Sequence, residues 1–200
     1  MDTSITLTVD GSEHTLDVDT RTTLLDALRE RIGATAPKKG CDHGQCGSCT
    51  VLLEGRRHLT CLALAVAHDG DEIVTAAGLT GSAADPASPG EDALHPVQQA
   101  FLDHDGYQCG YCTPGQICSA VGVLDEAEQG HPSHVTDDLE VGGDVDLTDE
   151  EIRERMSGNL CRCGAYVGIL DAVRQAAGQT PGRGVDPARH TRDHVTEGAR

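Results

Sequence analysis

Tryptophan is absent from the 200 residues, Phe101 is the single phenylalanine, and three tyrosines complete an aromatic content of 2%. A core must therefore be built from Leu, Val, Ile and Ala. Small domains of that kind are marginal on hydrophobic burial alone and often use metal centres or disulfides as staples. Positive charge is also scarce: 15 Lys and Arg stand against 33 Asp and Glu, a net charge of −18. Neutralising phosphates needs a basic footprint, so the balance argues against nucleic acid and equally against an anionic membrane. The surplus acid reads as a solvated surface that keeps the protein soluble. No run of 18 apolar residues occurs, so no membrane span is expected. The opening MDTSITLTVDG has neither the basic region nor the apolar stretch of a signal peptide, and the expected location is the cytoplasm.

Cysteine and glycine, by contrast, are plentiful, at nine and 24 residues. Thiols without an export signal are expected to stay reduced, and an odd number cannot all pair within one chain. Metal ligation is favoured over disulfides.

Along the chain, Ile5, Leu7 and Val9 alternate with Ser4, Thr6 and Thr8, the pattern of a half-buried strand. Asp10-Gly11 signals a tight hairpin, with Leu16 and Val18 on the returning strand. Thr22 or Thr23 can cap a short helix, LLDALRERI, with a stripe of Leu24, Leu25, Leu28 and Ile32 and a terminator at Gly33. TVLLEGRRHLTC reads as a second hairpin turning near Glu54-Gly55, and EIVT at 72–75 as a last strand. Residues 1–79 thus suggest a small sheet gripping a helix.

TGSAADPASPGEDA, residues 80–93, has a linker composition. From 94 to 178 every signal is helical. Pro96 opens one helix, with Val97, Ala100 and Phe101 on one face. Thr113-Pro114-Gly115-Gln116 fits a capping box with Pro at the first helical position, and Thr148 to Glu151 fits another, opening a helix that stops at Gly158. A fourth helix runs from about Ala165 to Ala177 and stops at Gly178. Residues 129–147 form an acidic surface loop; Asp137, Asp138, Asp144 and Asp146 do not have EF-hand spacing. Residues 179–200 lack periodicity and are expected to be a mobile tail. The fold class is α+β, a sheet domain followed by an all-α four-helix domain.

Eight cysteines fall into two sets. Cys41, Cys46, Cys49 and Cys61 are spaced C-x4-C-x2-C-x11-C; Cys109, Cys112, Cys161 and Cys163 are spaced C-x2-C-x48-C-x-C. The first spacing is the plant-type 2Fe–2S ferredoxin arrangement. A two-iron cluster is larger than a single ion, so its loop must wrap around it, and Gly40, Gly44 and Gly47 supply the backbone freedom. Zinc sites favour short paired spacings, which x4 and x11 fit poorly. In the second set each cysteine pair precedes a helix N-terminus, whose dipole and N–H groups favour thiolates and an anionic cluster. By spacing alone zinc stays a rival there. Cys118 reads as a buried structural thiol. His43 lies between ligands, but the thiols already number four, and His131, His134, His190 and His194 read as solvated.

KKGCDHGQCGSCTVLLEG, QCGYCTPGQI and GNLCRCGAY, in this order, resemble the iron–sulfur subunit of the xanthine dehydrogenase/aldehyde oxidoreductase (molybdenum hydroxylase) family. HPSHVTDDLE and LTDEEIRERMSGNLCRCG resemble the branch that oxidises aldehydes. Ser48 stands where Ala is common in the family, and the gap between the second set's pairs is longer than in many members. The resemblance implies a β-grasp, plant-ferredoxin-like domain and a four-helix domain, each holding one 2Fe–2S cluster. It implies partner subunits carrying molybdopterin and FAD, with this chain passing single electrons between them and contributing no catalytic residue. It further implies that Gln108 hydrogen-bonds the pterin and that Cys163, besides ligating iron, lies against the pterin amino group. The competing functions are a free-standing two-cluster ferredoxin, which co-purification of larger partners would argue against, and a non-redox zinc scaffold, which would be colourless.

Overall fold

A computed structural model describes residues 2–79, 94–137 and 144–178. The expected linker at 80–93, part of the acidic loop including Asp138, and the tail with His190 and His194 lie outside the described residues.

Strands β1 (Asp2–Val9) and β2 (Ser12–Asp19) form the first hairpin, closing Val9 on Ser12 around Asp10 and Gly11 at φ 49° and 77°. Two consecutive positive φ values are what a turn matching the strand twist demands, and Asp-Gly supplies them. Helix α1 (Leu24–Asp26) follows, capped by the Thr23 hydroxyl, which accepts from the Asp26 N–H at 3.1 Å. It runs on as a π-helical Ala27–Ile32 to Gly33 at φ 84°, where the sequence pattern predicts a plain α-helix. The expected single stripe also divides. Leu24 and Leu28 enter the sheet core, whereas Leu25, one position along and so on a different face, packs with Cys49 and Cys61.

Strands β3 (Thr50–Leu53) and β4 (Arg56–Leu59) make the second hairpin, and β5 (Glu72–Val74) completes a sheet ordered β2-β1-β5-β3-β4. The β1–β5 pair is parallel and the other pairs are antiparallel. One face buries Ile5, Leu7, Val9, Val51 and Ile73 against α1. From the other face Leu52 joins a second core with Val97, Phe101, Val121, Ile152 and Ile169. Strand β3 is therefore covered on both sides, which explains its continuous apolar run in place of an alternation.

The second core belongs to helices α2 (Pro96–Asp103), α3 (Thr113–Glu128), α4 (Asp149–Arg155) and α5 (Tyr166–Ala176). His95 caps α2 through Nδ1, and Gln98 completes the box while donating Nε2 to the Ala76 carbonyl at 2.7 Å. Three expectations are corrected. Thr113 does not cap α3; Cys112 holds the cap position with no side-chain bond, and Gln116 is buried, donating to the Asn159 carbonyl. At α4 the Thr148 hydroxyl does accept from the Glu151 N–H, but the Glu151 carboxylate turns inward to Arg155 and Thr136 instead of closing the box. That helix also ends at Arg155, not Gly158, because the chain tightens into i→i−3 bonds from Ser157 and Asn159. Among the described residues no helix is long and apolar enough to cross a membrane.

Candidate metal centres

The loop from Gly40 to Cys49 turns through left-handed backbone at Asp42, Gly44 and Gly47 (φ 59°, 78° and 70°). Space is as demanding as conformation. A Cβ on Gly40 would lie 2.7 Å from the Cys46 sulfur, and one on Gly44 would lie 2.4 Å from Leu62. The Gln45 N–H donates to Cys41 Sγ at 3.2 Å. Backbone N–H groups of His43, then Gln45 and Cys46, draw the Cys41 thiol down to about 6. Cys61 is in the opposite situation, pushed up to about 11 by burial and by its neighbour Cys49. The thiols meet in pairs, Cys41 with Cys46 and Cys49 with Cys61, the latter pair packed against buried Leu25.

The second set assembles from two distant segments. Cys109 and Cys112 precede α3, and Cys161 and Cys163 precede α5. Cys109 touches Cys163 and Cys112 touches Cys161, so each pair takes one thiol from each segment. The Tyr111 N–H and the Cys163 thiol lower Cys109, while burial lifts Cys112 to about 12. The Ala165 N–H donates to Cys161 Sγ at 3.4 Å, and the Cys161 N–H donates to the Tyr166 hydroxyl at 2.8 Å, stapling the short C-x-C turn to the first residue of α5.

The donors fit two-iron groups in three respects. Thiols meeting two by two suit two irons with two thiolates each. Peptide N–H groups already point at sulfur. Finally, Thr113 Oγ1, immediately after Cys112, is a buried hydroxyl with no partner among the described residues, and a sulfur acceptor beside it would satisfy it. The buried thiols pushed upward would give up their protons on metal binding.

Gln108 and Cys163 are both exposed, as are Tyr107, Tyr111, Leu160, Tyr166 and Val167, each within four residues of one or the other along the chain. Exposed Leu62 and Leu64 adjoin the first centre. Cys118 belongs to neither set: it is fully buried in the second core, its thiol lifted to about 12 by burial. The sequence reading missed Asn159 and Arg57, polar residues that join the two halves. Asn159 lies only two residues before Cys161, yet nothing in GNLCRCG distinguishes a joint from an ordinary loop residue.

Residues 7–76 match the family of 2Fe-2S iron-sulfur cluster binding domains, and residues 78–174 match the family of 2Fe-2S binding domains. The aldehyde oxidoreductase iron-sulfur-binding subunit PaoA of Escherichia coli is 59% identical over 175 residues, covering 88% of this chain and 72% of its own length. The nicotine 6-hydroxylase small subunit of Paenarthrobacter nicotinovorans is 39% identical over 175 residues, 88% of this chain and 90% of that one. Among solved structures, quinoline 2-oxidoreductase from Pseudomonas putida superposes with a TM-score of 0.70 at 38% identity, over 88% of this chain and 93% of the matched chain. With two cysteine centres in two successive domains and likeness over most of its length, the chain belongs to the iron–sulfur subunits of the xanthine dehydrogenase/aldehyde oxidoreductase (molybdenum hydroxylase) family.

Proposed function

We propose that this chain passes single electrons from a molybdopterin-binding large subunit to an FAD-binding subunit in an aldehyde-oxidising complex. One observation carries the reading: eight cysteines from separate segments gather into two groups whose thiols meet in pairs. Cys41, Cys46, Cys49 and Cys61 would hold one 2Fe–2S cluster; Cys109, Cys112, Cys161 and Cys163 would hold the other. When bound, each cluster supplies a one-electron carrier. The protein's part is to wrap the carriers, direct N–H groups at sulfur and keep water from Cys49, Cys61 and Cys161, which are buried. The likeness to PaoA supports aldehydes as the substrate class of the complex.

Residues 1–79 form the β-grasp domain in this reading, 94–178 the four-helix domain, 80–93 the linker and 179–200 the tail. Separate cores on either side of the sheet support that division. The apolar side chains around Gln108 and Cys163 suit a large subunit that brings its pterin to the helical centre, with Gln108 hydrogen-bonding it and Cys163 against its amino group. Leu62 and Leu64 suit the flavin subunit at the other centre.

Iron and sulfide analysis with low-temperature EPR of the dithionite-reduced protein tests the proposal. Two irons per cysteine set and two distinct 2Fe–2S signals are expected. Cys112→Ser should remove the helical-half signal and leave the other. Zinc without an EPR signal, or a variant keeping both signals, would refute the assignment.

A further inference from the structure

Leu160 and Cys46 lie in different halves of the molecule, yet the Leu160 N–H donates to the Cys46 carbonyl at 2.9 Å. Cys46 is assigned to the sheet-half centre, and Cys161, the residue after Leu160, to the helical-half centre. Between their sulfurs the route is covalent backbone interrupted by that one hydrogen bond. Backbone meets backbone at the same place. A Cβ on Gly115 would lie 2.4 Å from the Gly47 carbonyl oxygen, and one on Gly47 would lie 2.5 Å from that of Gly158.

Asn159 holds this junction. It is buried, and its amide nitrogen donates to Gly47 O at 3.1 Å and to Gly115 O at 3.2 Å, one carbonyl from each half. Its Oδ1 accepts from the Ser119 hydroxyl at 2.7 Å, and its own carbonyl accepts from Gln116 Nε2 at 3.0 Å. The role needs two donors and an acceptor on one short side chain, which an amide provides and a carboxylate does not. Gly47 follows Cys46 directly, and Gly115 lies in the first turn after Cys112. The amide thus fixes the segments beside thiols of both centres and, through its own backbone, the position of the Leu160 N–H.

We propose that Asn159 is a positioning residue for electron exchange between the two centres, with the Leu160–Cys46 hydrogen bond as their electronic contact. The inference rests on the electron-transfer reading given above. One electron moves and no proton: the helical-half centre is oxidised by one and the sheet-half centre is reduced by one. Tunnelling weakens steeply with each added gap, so a loosened contact slows transfer without altering either centre's ligands.

The test uses the assembled complex, reduced by pulse radiolysis, with the redistribution of the electron between the centres followed in time. Iron content, both EPR signals, both reduction potentials and the melting temperature are recorded for each variant. Asn159→Ala is expected to slow the transfer by about tenfold with both potentials unchanged. Ser119→Ala, which removes only the bond to Oδ1, is expected to slow it by about twofold. Asn159 as a mere structural tie would lower the melting temperature and leave the rate at 25 °C untouched, which overturns the proposal. Should Asn159→Ala lose a centre, an unchanged rate in Ser119→Ala overturns it and a slowed rate sustains it. A wild-type protein lacking one of the two EPR signals refutes the electron-transfer reading itself, a result separable from any change in rate.

Discussion

Thr113 carries the buried side-chain polar atom that has no hydrogen-bond partner among the described residues. An orphan hydroxyl of this kind costs about 1–3 kcal/mol where nothing accepts from it. Its neighbour Cys112 is a proposed ligand, and hydrogen bonds to cluster sulfur stabilise the reduced, more negative form. Thr113→Val, nearly equal in volume, should therefore lower the reduction potential of the helical-half centre in an EPR-monitored titration. In the metal-free chain the same change should be neutral, or stabilising by about 1 kcal/mol. An unchanged potential would show that the hydroxyl serves the fold alone. At this scale the cysteines were legible because their chemistry is rare and their spacing specific. Thr113 was misread: Ser or Thr before Pro commonly marks a cap, but here the cap position falls to Cys112.

Helix α3 is the element on which both halves depend. It lies against β3, places Cys112 at its start, and brings Gly115 against the Gly47–Ser48 backbone and Gly122 against the Arg57 side chain. A Cβ on Gly115 would meet the Gly47 oxygen and the Ser48 backbone, and backbone cannot swing aside as the end of a long side chain can. Gly115→Ala should cost about 1–3 kcal/mol in denaturant unfolding. Gly158→Ala, where nothing lies within 4 Å and φ is not positive, should stay within about 0.5 kcal/mol. Equal effects of the two would refute the close-approach argument. Elements were legible wherever a local device specifies them: Asp10-Gly11 for a hairpin, Thr23 and Gly33 for helix ends, Pro96 for a helix start. The π-helical turn after Asp26 and the early end of α4 were not legible, since no local device in the sequence marks either.

Across the whole molecule the two halves are tied by charge as well as by packing. Arg57 on β4 donates Nε and Nη2 to the Glu126 carboxylate at 2.8 and 2.6 Å, and Nη1 to the Arg155 carbonyl at 2.8 Å. Arg155 in turn donates to Glu151 at 2.9 Å and to the His131 carbonyl at 2.6 Å. Burial works to raise the Glu151 carboxyl, but hydrogen bonds from Thr136 and Ser133 and the Arg155 partner outweigh it and hold it below the ordinary range. A group depressed in the folded state stabilises above its unfolded value and loses that contribution as pH falls through the folded one. Unfolding free energy should therefore decline once pH drops below about 4.3, and Glu151→Gln should flatten that decline. At neutral pH the variant leaves Arg155, with 3% of its side chain exposed, without its nearer charge partner and with only the Glu126 carboxylate at 3.7 Å. The cost should be about 3 kcal/mol in denaturant titration. No local pattern in GRRHLTC or EIRERM marks Arg57 or Arg155 as more than surface charge, and the capping box that marks Glu151 says nothing of its bond to Arg155.

What the sequence determined by itself was what is encoded over short distances: the turns, most of the helix ends and the two cysteine spacings, the first of them in the plant-type two-iron pattern. The tertiary structure alone decided that Cys109 meets Cys163 and Cys112 meets Cys161, that β3 is buried on both faces, and that Asn159 joins Gly47 to Gly115. A thiol advertises its chemistry wherever it stands. An amide or a guanidinium acquires its role only from the partners that folding brings within about 3 Å of it.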